Sequence, residues 1–163
     1  MLGNYSPRIP ADETYVHALG RAAYNFAYLE SAVVWIGECL RDGFIDASYN
    51  MTAKQIANKL IGVAQKLDDH FICRARIINF SEAFVDLAET RNKILHGRPY
   101  TADGGVQQLT YRGRSGEVYW PIDDVIIAAE KFEDAAIEAG DLLNDGGLLK
   151  AREARLTNSE VGS

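Results

Sequence analysis

Glu89-Thr90-Arg91-Asn92-Lys93-Ile94-Leu95-His96-Gly97-Arg98 closes the third long amphipathic stretch of this 163-residue chain. Four residues with phosphate or proton chemistry, Arg91, Asn92, His96 and Arg98, fall within eight positions. On a helix turning about 100° per residue, Asn92 lies about 100° and His96 about 140° round from Arg91. Asn92 and His96 are therefore i and i+4 neighbours on one face, with Arg91 beside them. Gly97 follows directly and is expected at C′, in the left-handed conformation that ends a helix. The imidazole then stands in the last turn, beside the negative end of the helix dipole.

Upstream, the apolar stripe of the same helix is Cys73, Ile77, Phe80, Phe84, Leu87, Arg91 and Ile94. The rhythm that sets Phe84 in the core sets Arg91 there as well. An unpaired charge on such a stripe is costly, so the guanidinium must meet a carboxylate, a phosphate or an interface. The plainer reading is that its stem packs while its head reaches the surface. Glu30, beside Leu29 at the middle of the first helix, is the expected intramolecular partner.

The remaining elements follow from seams and caps. Tyr15, Leu19, Ala22, Phe26, Leu29, Val33, Ile36 and Leu40 alternate steps of four and three, which is about 40 Å of helix. Asp12 or Thr14 is its expected cap, Asp42-Gly43 its end, and residues 43–51 a connector. Thr52-Ala53-Lys54-Gln55 has the capping-box pattern and opens a helix with the seam Ile56, Leu60, Val63 and Leu67. Asp68-Asp69 then breaks the chain before the Arg91 helix. After Pro99, two β-branched and aromatic runs flank Arg112-Gly113-Arg114-Ser115-Gly116 and read as a two-stranded hairpin lying against the helices. Asp123 or Asp124 caps a last long helix with the seam Val125, Ala129, Phe132, Ala136, Ala139 and Leu143. The predicted fold is all-α: an antiparallel four- to five-helix bundle over residues 12–145, with a small β-hairpin (106–121) inserted before the last long helix. Residues 1–11 read as an irregular leader and 146–163 as a flexible C-terminal tail, a frayed helix with a loose terminus.

Composition bounds the function. At 47% hydrophobic and 25% charged, the chain is an ordinary soluble globular protein, long enough for one domain with its own core. Its start lacks the apolar region of a signal peptide and no apolar run could span a bilayer, so a cytoplasmic location without membrane contact is expected. Cys39 and Cys73 fall within helical patterns and are expected as buried thiols. A formal net charge of −6 argues against a broad, sequence-independent grip on nucleic acid, while leaving room for a small basic pocket.

Other chemistries find little support. His17, His70 and His96 lack zinc-ligand spacing and the cysteines are 34 positions apart, so neither a metal nor another cofactor is expected. Neither thiol has an activating neighbour. The glycines at 104–105 and 113–116 lack the setting and the lysine of a P-loop. Tyr111, Tyr119 and Trp120 have the chemistry to stack on bases, but a hairpin position favours packing against the bundle. His17 and His70 read as solvent-side residues without a role.

Arg91-Asn92-Lys93-Ile94-Leu95-His96 resembles the Rx4–6H signature of HEPN domains (higher eukaryotes and prokaryotes nucleotide-binding), in which a polar residue, often Asn, follows the arginine. The expected bundle over 12–145, with the motif late in a core helix, is similar to that family, although the sequence-specific part covers only six or seven residues. The resemblance implies a homodimeric, metal-independent endoribonuclease of a toxin–antitoxin or phage-defence system, with two motifs meeting across the interface. It implies that Arg91 holds or polarises the scissile phosphate and that His96 transfers a proton at the 2′-hydroxyl or the leaving oxygen. Asn92 would orient the imidazole or contact phosphate, and Arg98 would bind substrate, with Arg112 and Arg114 adding to a local basic patch. Many HEPN-like proteins are instead non-catalytic and bind a nucleotide or a partner protein such as an antitoxin. The same motif then serves as a buried polar network holding helices together.

Overall fold

The computed structural model of the chain describes residues 12–69, 71, 73–114 and 116–161. The expected leader (1–11) and His70 lie outside the described residues. The helices are α1 (Glu13–Leu40), α2 (Phe44–Ser48), α3 (Ala53–Ala64), α4 (Arg74–Leu95), α5 (Ile122–Asn144) and α6 (Leu148–Val161). Between α4 and α5 stand the strands β1 (Arg98–Thr101), β2 (Gln107–Gly113) and β3 (Gly116–Trp120).

The seams become the core. Tyr15, Ala22, Phe26, Leu29, Val33 and Ile36 of α1 are buried, as are Ile77, Phe80, Phe84 and Ile94 of α4 and Val125, Ala129 and Phe132 of α5. Asp12 caps α1 by accepting the Tyr15 N–H at 2.9 Å. Thr52 and Gln55 exchange the two bonds of a capping box at the start of α3. The start of α5 differs from expectation. Pro121 occupies the N-cap without a side-chain bond, and Asp123 and Asp124 fall inside the first turn, where they face the positive end of the dipole.

Helix direction departs from a simple alternating bundle. The Tyr15 hydroxyl, at the head of α1, bonds Trp120 O just before α5. Farther along, Phe26 meets Phe132 edge-on at 5.1 Å. Past the end of α5, Arg155 of α6 reaches Cys39 O near the end of α1. α1 and α5 therefore run the same way. α4 opposes both, with Cys73 at its head donating to Gly146 O beyond the tail of α5. α3 in turn opposes α4, since Lys54 near its start pairs with Glu89 near the end of α4 at 2.9 Å. The cause is the segment 43–51, which is more than a connector. Phe44 buries its ring against Gly37, where any Cβ would collide with it. α2 forms there, and the chain doubles back to the level of Glu30 before α3 begins.

The expected two-stranded hairpin is a three-stranded antiparallel sheet in the order β1-β2-β3. Arg98 stands opposite Thr110, and Thr110 opposite Tyr119. Pro99 hid β1 from the sequence reading, yet an edge strand tolerates a residue without a ladder donor. Leu109 and Trp120 pack against the core. The Tyr15 hydroxyl accepts the Leu109 N–H at 2.9 Å and donates to Trp120 O at 2.7 Å, tying two strands to α1. Burial holds this phenol above its ordinary pKa, against a smaller opposing effect of the Leu109 bond, so it stays a neutral donor and acceptor.

Residues 148–161, where a frayed helix is expected, form α6. Leu148 is buried, Arg155 donates to Cys39 O at 2.6 Å and Leu40 O at 3.2 Å, and Arg152 lies 3.5 Å from Glu38. Arg155 thus satisfies carbonyls that the end of α1 leaves open. Polar anchors of this kind leave no periodic apolar trace in a sequence.

Candidate functional site

α4 ends at His96, whose backbone (φ −97°, ψ 7°) leaves the helix while its N–H still reaches Asn92 O at 3.0 Å. The left-handed conformation expected at Gly97 is absent, since positive φ among the described residues is confined to Gly43, Gly104, Gly105, Gly116 and Gly147. Glycine is needed at 97 for space. A Cβ there would lie 2.9 Å from Leu109 Cβ and 3.0 Å from Ile94 O, so its absence lets β2 close on the helix end.

Arg91 satisfies both sequence readings of its position. Its guanidinium carbon lies 4.6 Å from the centre of the Phe26 ring, which also stacks on Phe84 at 5.7 Å. The cation is thus seated on the aromatic heart of the core. Outward, Nη1 donates to Asn92 Oδ1 at 2.9 Å and Nη2 lies 3.6 Å from Glu30 Oε1. Its side chain keeps 22% of its surface exposed, so the head is not sealed away.

Arg91, Asn92 and His96 line one cavity of about 410 Å³ together with Glu30, Met51, Thr52 and Ala53. Three helices build it: the last turns of α4, the middle of α1 and the start of α3. The first turn of α3 adds the positive end of a helix dipole to the Arg91 charge, and Glu30 opposes both. Asn92 engages its amide oxygen with Arg91, which leaves its NH2 as the group that can meet a ligand. His96 is exposed. Arg98 is not part of this wall; it opens β1 on the exposed side of the chain.

A second groove of about 400 Å³ shares Glu30 and Met51 with this cavity and is lined by Trp35, Ile45 and Tyr49. Tyr49 is 88% exposed and Trp35 44%. No helical seam marks these side chains in the sequence, because Ile45, Tyr49 and Met51 lie in the expected connector. The density of apolar residues there (Phe44, Ile45, Tyr49, Met51) was the available signal.

The hairpin aromatics divide. Trp120 packs against the core as expected, whereas Tyr119 faces solvent with its ring 5.5 Å from Tyr100. Cys39 and Cys73 are free and buried, and burial raises the Cys39 thiol pKa. His17 is exposed. Among the described residues no group of three His, Cys, Asp or Glu side chains is placed to hold a metal ion, and no helix is long and apolar enough to cross a membrane. A largely apolar groove between α1 and α5, lined by Tyr24, Tyr28 and Ile137, shares no residue with the Arg91 cavity. Comparison with protein-family models, with curated proteins and with solved structures finds no match.

Proposed function

We propose that the chain is a HEPN-like, homodimeric, metal-independent endoribonuclease of the toxin–antitoxin or phage-defence kind. The observation that carries this reading is the convergence of Arg91, Asn92 and His96 on one open cavity beside the start of α3. An arginine and a helix N-terminus suit a phosphate, and a histidine at the rim suits proton transfer. In the proposed reaction the ribose 2′-oxygen attacks phosphorus and loses its proton to an imidazole. The P–O5′ bond breaks, and the leaving oxygen takes a proton from a second imidazole. Arg91 offsets the charge that builds on the phosphoryl oxygens. The products are a 2′,3′-cyclic phosphate and a 5′-hydroxyl, and the need for the 2′-hydroxyl restricts the chemistry to RNA. Two copies of His96 meet this demand if the groove carrying Trp35 and Tyr49 joins two chains, because that groove borders the cavity.

One observation favours a non-catalytic helical module that binds a nucleotide or a partner protein through the same groove. Arg91 already has Glu30, Asn92 and Phe26 around it, which is what a polar network holding α1 to α4 requires. Incubation of the purified protein with single-stranded RNA in EDTA separates the two. The ribonuclease leaves cyclic phosphate ends, and both Arg91→Ala and His96→Ala lose at least a hundredfold in rate, on the order of a general acid–base contribution, while keeping their helical circular dichroism. Cleavage that survives either change removes these residues from the reaction.

A further inference from the structure

The sheet that follows the motif has two unlike faces. Alternation along each strand puts Leu109 and Trp120 toward the core, and puts Arg98, Tyr100, Thr110, Arg112, Glu117 and Tyr119 on the other side. On that open face the Tyr100 and Tyr119 rings lie 5.5 Å apart, 41% and 45% exposed. Arg98 and Arg112 are also exposed, and among the described residues neither takes part in an ion pair. Charge is segregated along the chain. Residues 98–120 carry three arginines against Asp103 and Glu117, whereas α5 carries seven acids and one lysine. Glu117 is the one acid on the face, and it is engaged at 3.0 Å by both the Thr110 and Tyr119 hydroxyls. Arg98 follows His96 by two residues, so the face is continuous in the chain with the cavity rim.

We propose that this face is a stacking platform for single-stranded RNA, with bases laid on Tyr100 and Tyr119 and the flanking phosphates held by Arg98 and Arg112. The proposal rests on the RNA-directed reading of the Arg91 cavity and adds where the strand is gripped. Paired exposed aromatics select unpaired bases, because a duplex keeps its π-faces stacked on one another. The guanidinium groups supply the phosphate contacts that the acidic body lacks. A strand of a partner protein would be recognised along a sheet edge by main-chain bonds and would leave the rings and arginines of the open face unused.

The test is fluorescence anisotropy in EDTA with a labelled single-stranded RNA of about 12 nucleotides, within the span of known single-strand sites, on a His96→Ala background so that the probe is not cut. Tyr100→Ala with Tyr119→Ala is expected to weaken binding at least tenfold, since loss of one stacked base costs about fivefold to a hundredfold. Arg98→Ala with Arg112→Ala is expected to weaken binding and to flatten its dependence on salt. Both side-chain pairs are exposed, and an unchanged melting temperature verifies the fold. Equal affinity of the tyrosine variant and its parent overturns the platform. So does equal affinity for duplex RNA, or conversion of a dimer to a monomer by the tyrosine changes, which would mean that the rings cover a second copy. Binding that depends on the tyrosines in a protein that never cleaves RNA keeps the platform and ends the ribonuclease reading. Cleavage with a KM indifferent to the tyrosines does the reverse.

Discussion

The Glu38 carboxylate accepts the Ile45 N–H at 3.0 Å and the Gly43 N–H at 3.2 Å, and faces Arg152 at 3.5 Å. A single acid thereby joins the end of α1, the start of α2 and the docked α6. The Ile45 bond is the main cause holding its pKa below the ordinary carboxylate value, with Gly43, Phe44 and Arg152 helping against the opposing effect of desolvation. A carboxyl with a depressed folded pKa contributes stability that is fully present above its unfolded pKa, about 4.3, and is lost as pH falls through the folded value. Glu38→Gln is therefore expected to cost about 1.5–3 kcal/mol at neutral pH and to lose part of the acid-side slope. Urea melts of both proteins from neutral pH down to the carboxylate range measure this, and parallel curves would show that Glu38 holds nothing. Arg91 is the other residue whose surroundings explain its position. Its place on an apolar stripe was readable from the seven-residue rhythm, and so was a carboxylate partner on α1. The Phe26 ring beneath the guanidinium was not, because a cation–π contact across two helices has no signature in either helix alone.

Among the elements, the sheet leans most on the Tyr15 hydroxyl. The Tyr15 hydroxyl stands between a donor on β2 and an acceptor on β3, and Leu109 and Trp120 face one another across that ladder. Tyr15→Phe leaves a part-buried N–H and a carbonyl unpaired, at a cost of about 1–3 kcal/mol. Hydrogen exchange should report it locally, with the Leu109 amide losing protection while amides in the middle of α4 keep theirs. Uniform loss, or none, would contradict the tether. The amphipathic helices themselves were legible, since seams at steps of three and four are what burial on one face requires. Three features were not. β1 lay behind Pro99, α6 docks by Arg152 and Arg155 without an apolar stripe, and the shared direction of α1 and α5 depends on how 43–51 folds back. Direction is a tertiary property set by Phe44 finding Gly37, and no local pattern encodes it. The site shared this division. Arg91, Asn92, His96 and Glu30 could be named from the sequence, but Met51 and Thr52 entered the cavity wall only through that return segment.

At the scale of the whole molecule, the groove at Trp35, Ile45, Tyr49 and Met51 and the Arg91 cavity adjoin through Glu30 and Met51. If two chains join there, Tyr49→Glu buries one like charge from each chain in the contact and should give a monomer by sedimentation velocity. Its melting temperature should hold or fall by a few degrees, because in one chain the side chain is almost fully exposed. On the proposed ribonuclease reading, RNA cleavage should fall with the dimer. A wild-type protein that is monomeric at micromolar concentration removes the shared-site arrangement. The sheet, finally, is fixed to the bundle by the Tyr15 bridge and by the close approach of Leu109 to Gly97. Held by that bridge, by the Gly97 contact and by the packing of Trp120 on the core, the sheet cannot swing relative to the helices. The interval between its tyrosine pair and the imidazole is then a constant of the fold, and on the proposed ribonuclease reading such a constant is a ruler. Breaks would fall a set number of nucleotides from the gripped base, whichever base that is.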